Sequence, residues 1–452
     1  MLWLIVFYLP FLAFGLLPDL RKGSLINPLA LFVVFNTIGL IGGLLVADPG
    51  RPVDQKYVTL LFGYTVLVCI AAGVGRAEMR SRMPMMRNGR AIPTQFTFEV
   101  SALFALSIAV TIVYYYAVGH ITLVEAATAG PGYDAATARL DSYAGTSYFA
   151  PGYVNQFKNA ILPAMAFAYV HQLWARRRHG RLVISLAIGI GVFVAVAGTG
   201  QRGALVIVML TVLLATLASG VLSKIRFVGL VAGIFALFSV TTLLTGRRAA
   251  EYNSASGFAD RVVFFGQSLF DRVFIEQAQS GLYAFHYTEI LPRAFAEDWT
   301  TDLVGILPGY RGSDLSSQVF ATIYGSTRGT APPSIWGSVY YNFGLTLSVV
   351  VALVILGGFV YATRKLYFSS AQSPRHLSAL EVYALCGLAV ASGSWIAGSP
   401  LTLLNQSVLA YVLTLWIARR AHRSASETNA WPERPPPDSR ARASRTPLVG
   451  RR

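Results

Sequence analysis

The chain has 452 residues, 54% of them hydrophobic and 13% charged, with a mean hydropathy of +0.53 and a formal net charge of +16. Soluble globular domains carry about twice that share of charge, so the composition excludes one and specifies an integral membrane protein. The only cysteines, Cys69 and Cys386, lie in apolar runs, and neither a disulfide scaffold nor a zinc site can be argued from them.

A hydrocarbon layer of about 30 Å takes about 20 apolar residues per helix. In chain order the qualifying runs are Leu2–Leu17, Pro28–Val46, Tyr57–Gly75, Phe98–Val118, Tyr153–Leu173, Leu182–Gly198, Gly203–Leu222, Phe227–Thr245, Ile335–Tyr361, Leu377–Ala397 and Leu401–Ala418. The first has no basic leader and reads as a span rather than a cleaved signal peptide. Continuous apolarity without a period of two argues for helices and against a barrel. The expected fold is an all-α polytopic bundle of about eleven transmembrane helices over residues 1–418.

Basic residues orient this bundle. The clusters at 21–22, 76–90, 176–181, 224–226, 364–365 and in the tail fall on one side, which then holds 25 Lys/Arg against 7 Asp/Glu. The opposite side holds 12 against 14. Assigning the basic side to the cytoplasm puts the N-terminus outside and the C-terminus inside. The basicity then serves membrane anchoring rather than nucleic acid. The tail, residues 419–452, is rich in Arg and Pro and reads as a disordered cytoplasmic segment touching anionic lipid.

Two external loops are long, 119–152 and 246–334. Loops of that length are functional or disordered. The second carries an amphipathic stretch, 260–286, with Val262, Phe265, Leu269, Val273 and Phe274 at helical spacing opposite Gln267, Asp271 and Glu276. Such a helix lies in the membrane interface or caps the bundle. Cations gather on this face: Arg139, Lys158, Arg202, Arg247, Arg248, Arg261, Arg272, Arg293, Arg311 and Arg328. Lys158 stands inside a span beside Asn155, Gln156 and Asn159, where an ionisable group is either functional or snorkels outward. Arg202 opens a helix after the turn "GTGQ" at 198–201, at the positive end of the helix dipole. An arginine there is misplaced unless an anion shares the position. This rim predicts an anionic, membrane-held ligand such as a lipid pyrophosphate.

The ninth span, 27 residues from Ile335 to Tyr361, is longer than the hydrocarbon requires. Its first two turns, with Tyr340, Tyr341 and Asn342, are therefore expected in an external vestibule suited to sugar rings. The chain has no Walker loop, dinucleotide glycine pattern, metal-spaced His/Cys set, Asp-x-Asp motif or Gly-x-Ser-x-Gly elbow. His286 is the one histidine of the long loop; Glu276, Glu289, Glu297 and Asp298 are external carboxylates that serve as a base or as solvated loop charges.

The layout resembles the Wzy-type O-antigen, or oligosaccharide repeat-unit, polymerases. The likeness rests on "GTGQRGAL" at 198–205, the large external loop two spans later, and "GTAPPSIWGSVYYNFGL" at 329–345 with its Tyr-x-Asn-Phe-Gly ending. Relatives often carry a glutamate four residues before the asparagine; here that residue is Ser338, and no carboxylate role transfers to it. The resemblance implies a GT-C-like glycosyltransferase in a bacterial inner membrane, using no cofactor or metal. It would join undecaprenyl-pyrophosphate-linked repeats on the outer leaflet, alongside membrane lipids, a flippase and a chain-length regulator. It assigns Arg202 with Arg247 or Arg248 to the leaving pyrophosphate, and Lys158 and Arg139 to its support. Arg272, Arg311 and Arg328 would hold donor or acceptor, Tyr341 and Asn342 the glycan, and His286 would be the base for the acceptor hydroxyl. An O-antigen ligase using the same donor stays open, as does a lipid-linked oligosaccharide flippase. A polyprenyl-phosphate sugar transferase would want an acidic pair in the first external loop, where Asp48 and Asp54 each lack an adjacent acid.

Overall fold

In a computed structural model of the chain, the described residues are 3–22, 27–79, 91–129, 133–134, 137–139, 152–220, 224–245, 260, 263–264, 266–267, 270–291, 295–305, 307, 312–325, 331, 333–371, 377–394, 398–401 and 407–428. They are helical, with no strand among them beyond one isolated bridge, Ile92 to Ser378. The helices are α1 (Trp3–Lys22), α2 (Pro28–Val46), α3 (Pro52–Met79), α4 (Phe98–Val118), α5 (Thr122–Thr128), α6 (Gly152–Gln156), α7 (Leu162–Ala175), α8 (Arg181–Ala197), α9 (Arg202–Ser219) and α10 (Lys224–Thr245). They continue as α11 (Glu276–Ile290), α12 (Glu297–Val304), α13 (Leu315–Tyr324), α14 (Ile335–Ala371), α15 (Ala379–Ser394) and α16 (Val408–Thr428). Two π-helical turns interrupt the pattern, Phe157–Ile161 between α6 and α7, and Asp271–Ile275 before α11.

Five of these helices are long and apolar enough to cross a membrane: Pro28–Val46, Pro52–Gly75, Phe98–Val118, Arg202–Ser219 and Ile335–Leu366. Trp3–Leu17, Arg181–Ala197, Phe227–Ser239 and Ala379–Gly393 are apolar but shorter. Large apolar side chains stand outward on α4 (Ile112, Tyr116), α8 (Val183, Ile190) and α14 (Leu345, Val354), which water would not tolerate over such an area and lipid covers. α15 is the opposite case. It is buried on every side for most of its length, packed against α2, α7, α9 and α16.

Helix ends follow local chemistry. Asn27 caps α2 by accepting the Leu29 N–H at 2.9 Å, with Pro28 at the first helical position. Thr97 precedes α4, and Gly119, in the left-handed region, ends it. The 37-residue α14 is two helices joined at Gly344, where φ is 67° and ψ −168°. That backbone region is open essentially to glycine alone. The break corrects the expectation of one long helix standing in a vestibule. Ile335 to Tyr340 form a separate, buried segment, and Asn342 is 0% exposed.

Among the described residues four apolar cores form, two of them large. One joins α2, α3, α11 and α14 around Phe32, Tyr64, Phe285 and Trp336. There Trp336 stacks on Tyr64 at 4.9 Å and donates its Nε1–H to Asn36 Oδ1 at 2.7 Å. The second joins α4, α7, α9, α15 and α16 around Met165, Tyr383 and Tyr411. α2 touches the π turn before α11 closely, because a Cβ on Gly42 would fall onto the Phe274 carbonyl oxygen.

The two ends of the bundle do not mix. At one end, Ala91 N–H bonds to Ser219 O, Ile92 N–H to Leu377 O, Arg419 to Leu366 O, and Arg420 pairs with Glu99 at 3.1 Å. At the other, Leu123 N–H bonds to Gly198 O, His286 meets Asp54, and Ser399 donates to Asp302. The tail boundary is corrected: α16 runs past residue 418 to Thr428, held by burial of Ala421 and by Arg420 over the Trp416 ring at 5.6 Å.

Candidate functional site

The turn at 198–202 forms as its residues dictate. α8 stops at Ala197, and Gly200 takes φ +74°, which reverses the chain so that α9 opens at Arg202. Tyr115 pins the turn from α4, donating its hydroxyl to Ala195 O at 2.9 Å. Arg139 lies across it, since a Cβ on Gly200 would stand 3.1–3.3 Å from the arginine's aliphatic carbons. The sequence expected Arg139 and Arg202 to share a region, and the structure brings them to this turn. No side chain caps α9, which has Gln201 at its N-cap position and no acid in its first turn. Its leading N–H groups and the dipole therefore add positive potential beside the arginines. Thr199, 1% exposed, has no partner for its hydroxyl.

Lys158 is 1% exposed and does not snorkel outward. It sits on the π turn Phe157–Ile161, which packs against α4, α8, α9 and α16. The extra residue of a π turn redirects the helix face, and such turns concentrate at functional sites. Its Nζ donates to Asn159 Oδ1 at 3.0 Å and lies 5.1 Å from the Tyr114 ring centroid. Among the described residues no carboxylate pairs with it. One turn earlier, Asn155 Oδ1 is buried without a partner. Tyr114 precedes the Tyr115 that pins the turn, so Lys158 and the opening of α9 flank the same pair of tyrosines.

A second cluster lies where α3 meets α11. His286 Nε2 is 2.6 Å from Asp54 Oδ1, and the other Asp54 oxygen accepts the Asp48 N–H at 2.8 Å. One turn along α11, Glu289 accepts from Lys56 Nζ and from the Tyr340 hydroxyl, each at 2.6 Å. Lys56 also stands 5.1 Å from the Tyr340 ring centroid. Sequence reasoning named His286 but missed Asp54, Lys56 and Tyr340 as its neighbours and read Glu289 as one loop charge among several. The partners are 232 and 233 residues apart, and only the i, i+3 spacing of His286 and Glu289 hints that they share a face.

Asn342 donates its amide to Ser338 O at 2.9 Å and approaches Asp298 Oδ2 at 3.4 Å, while its Oδ1 is buried without a partner. The carboxylate beside Asn342 comes from α12, not from residue 338, whose hydroxyl accepts the Trp299 Nε1–H at 2.9 Å. Asp298 also accepts from the Ser313 hydroxyl. Burial pushes its pKa above the ordinary 3.8, with Asp302 adding to the rise, against the bonds from Ser313 and Asn342.

The remaining expected site residues divide as follows. Tyr341 is half-buried against the α11–α13 packing around Val319 and Phe320. Arg272 lies on the π turn before α11, and its side chain is outside the described residues, as are Arg247, Arg248, Arg311 and Arg328 altogether. The amphipathic face is also corrected. Val273 is exposed, and burial passes to Ala278, Gly281, Leu282 and Phe285, because the π turn shifts the helix phase by one residue. The His286 and Lys158 clusters border different apolar cores. Among the described residues no three His, Cys, Asp or Glu converge as metal ligands. No protein-family model matches this chain, and neither a curated protein nor a solved structure matches it.

Proposed function

We propose that this chain is a membrane glycosyltransferase that polymerises lipid-pyrophosphate-linked oligosaccharide repeats on the outer leaflet of a bacterial inner membrane. The observation that carries the reading is Lys158, a fully buried ammonium without a carboxylate, flanking the uncapped opening of α9 where Arg139 and Arg202 lie. A buried cation is costly unless a counter-charge meets it. A pyrophosphate leaving group supplies that charge, and the site stabilises it as the anomeric carbon–oxygen bond breaks. Guanidinium groups suit the task because they stay charged and grip phosphate oxygens bidentately.

In this reading the fold is a GT-C-like bundle of about eleven spans, with the N-terminus outside and the C-terminus in the cytoplasm. Arg247 or Arg248 joins Arg202 on the pyrophosphate. Arg272, Arg311 and Arg328 hold donor or acceptor, and Tyr341 and Asn342 border the glycan. His286 takes the proton of the acceptor hydroxyl. The test is the surface-glycan profile of the source cell with and without the gene, on a gel that resolves repeat number. Loss of the ladder to a single capped repeat supports the polymerase. Full-length polymer left on its lipid carrier would assign a ligase instead, and repeats trapped on the inner leaflet a flippase. An unchanged profile refutes glycan assembly altogether. Within a positive result, Arg202→Ala at wild-type expression is expected to abolish the ladder.

A further inference from the structure

We propose that the outer face of α11 around His286 is the acceptor subsite, binding the hydroxyl-bearing end of an uncharged sugar, with Asp54 as the residue that positions His286. The inference rests on the polymerase reading and adds to it a ligand class and a residue outside the pattern that suggested it.

Asp54 is held from two sides, by the Asp48 N–H and by His286, and its side chain is only 3% exposed. A fixed, buried carboxylate at 2.6 Å from Nε2 favours the proton on that nitrogen. The lone pair then falls on Nδ1. The histidine side chain is 28% exposed, so a ligand reaches it from outside. Tyr283, 40% exposed, stands edge-on to the imidazole at 6.2 Å. Tyr287, one residue past His286, donates its hydroxyl to Gln318 of α13 at 2.7 Å. Residues 283, 286 and 287 share one helix face by their spacing. Two tyrosines, an amide and an imidazole acceptor form a surface of apolar ring faces and neutral hydrogen-bonding groups, which matches a sugar.

Among the described residues, the charges around His286 are Asp54 and Lys56 from α3, Glu289 on its own helix, and the Asp48–Arg51 pair before α3; Tyr340 of α14 supplies a hydroxyl. Lys56 neutralises Glu289 and Arg51 meets Asp48 at 3.5 Å, which leaves Asp54 as the uncancelled charge. That single negative charge does not recruit an anionic ligand, and it stabilises the imidazolium formed during transfer. In the step itself the acceptor oxygen bonds to the donor's anomeric carbon as the carbon–oxygen bond to phosphate breaks. The hydroxyl proton goes to His286 Nδ1, the bond's electron pair leaves on the pyrophosphate oxygen, and the imidazolium returns its proton to water.

The test uses the full chain in nanodiscs with a synthetic lipid-pyrophosphate-linked repeat as donor and acceptor. Asp54→Asn is expected to lower kcat on the order of 10²-fold or more, with acceptor KM nearly unchanged. Asp54→Glu should recover part of the rate, and Tyr283→Ser should raise acceptor KM with little change in kcat. If Asp54→Asn does not fold, nitrogen-15 NMR of wild-type histidine decides: an Nε2–H tautomer at His286 supports the assignment and an Nδ1–H tautomer overturns it. Wild-type turnover with an unchanged Asp54→Asn rate refutes the inference alone. No turnover by wild type refutes the polymerase reading and the inference together.

Discussion

Lys158→Met separates a ligand cation from a structural one. In the folded chain the ammonium is 1% exposed, with one amide oxygen at 3.0 Å and one ring face at 5.1 Å. Burying an ion costs several kcal/mol after relaxation. Against this stand a charge-assisted hydrogen bond of about 1.5–3 kcal/mol and a cation–π contact of about 1–2 kcal/mol. The terms come near to cancelling, so a methionine of similar length should leave stability unchanged or raise it by about 1–4 kcal/mol, as when buried ions yield to apolar residues. Thermal unfolding in detergent reads this directly, at roughly 2 °C per kcal/mol for a chain of this size. The decisive arm adds inorganic pyrophosphate. At about 100 times its Kd it should stabilise the wild type by about 2.7 kcal/mol, and that gain should disappear in the variant together with polymer formation. If the variant loses more than about 3 kcal/mol without ligand, Lys158 closes a charge pair within the fold and the reasoning fails. An equal pyrophosphate shift in both proteins refutes it as well.

Gly344→Ala forces a Cβ into a backbone region reserved for glycine and should destabilise the chain by about 1–3 kcal/mol; an unchanged melting temperature would mean that α14 is not broken there. Gly42→Val places carbon on the Phe274 carbonyl oxygen, and an overpacked contact of this kind costs about 1–3 kcal/mol. Limited proteolysis within 246–334 should accelerate in that variant, and an unaltered cleavage rate would contradict the contact. Asp298 holds its proton more tightly folded than unfolded, so its contribution to stability falls as pH rises from about 3.8 through the raised folded value. Asp298→Asn should flatten the melting temperature in that window and exceed the wild type above it; an unaltered pH slope would show that burial does not govern this carboxyl.

What was legible in the sequence was whatever local chemistry decides. Pro28–Val46 and Phe98–Val118 end where the apolar runs end, because Asn27, Thr97 and Gly119 supply the caps. The turn before Arg202 follows from Gly198 and Gly200. The features that eluded reading are tertiary. Neither π turn has a sequence signal, yet each resets a helix face, burying Lys158 in one case and Leu282 in the other. The break at Gly344 hides in an unbroken apolar run. The Asp54–His286 and Lys56–Glu289 pairs span more than half the chain, and no periodicity connects residues so far apart.

Lys56 and Lys158 differ in what meets their charge. Lys56 is 40% exposed and still meets a carboxylate at 2.6 Å, so the external segment is fastened to α3 by charges that cancel. Lys158 has lost its water and meets only an amide and a ring. Were burial alone the purpose, an apolar residue would serve that position better, since it carries no desolvation cost. The misfit extends beyond the lysine, to the uncapped α9, the unpartnered hydroxyl of Thr199 and the unpartnered oxygen of Asn155. A phosphate group answers most of these deficits, accepting from the ammonium, the hydroxyl and the helix N–H groups at once.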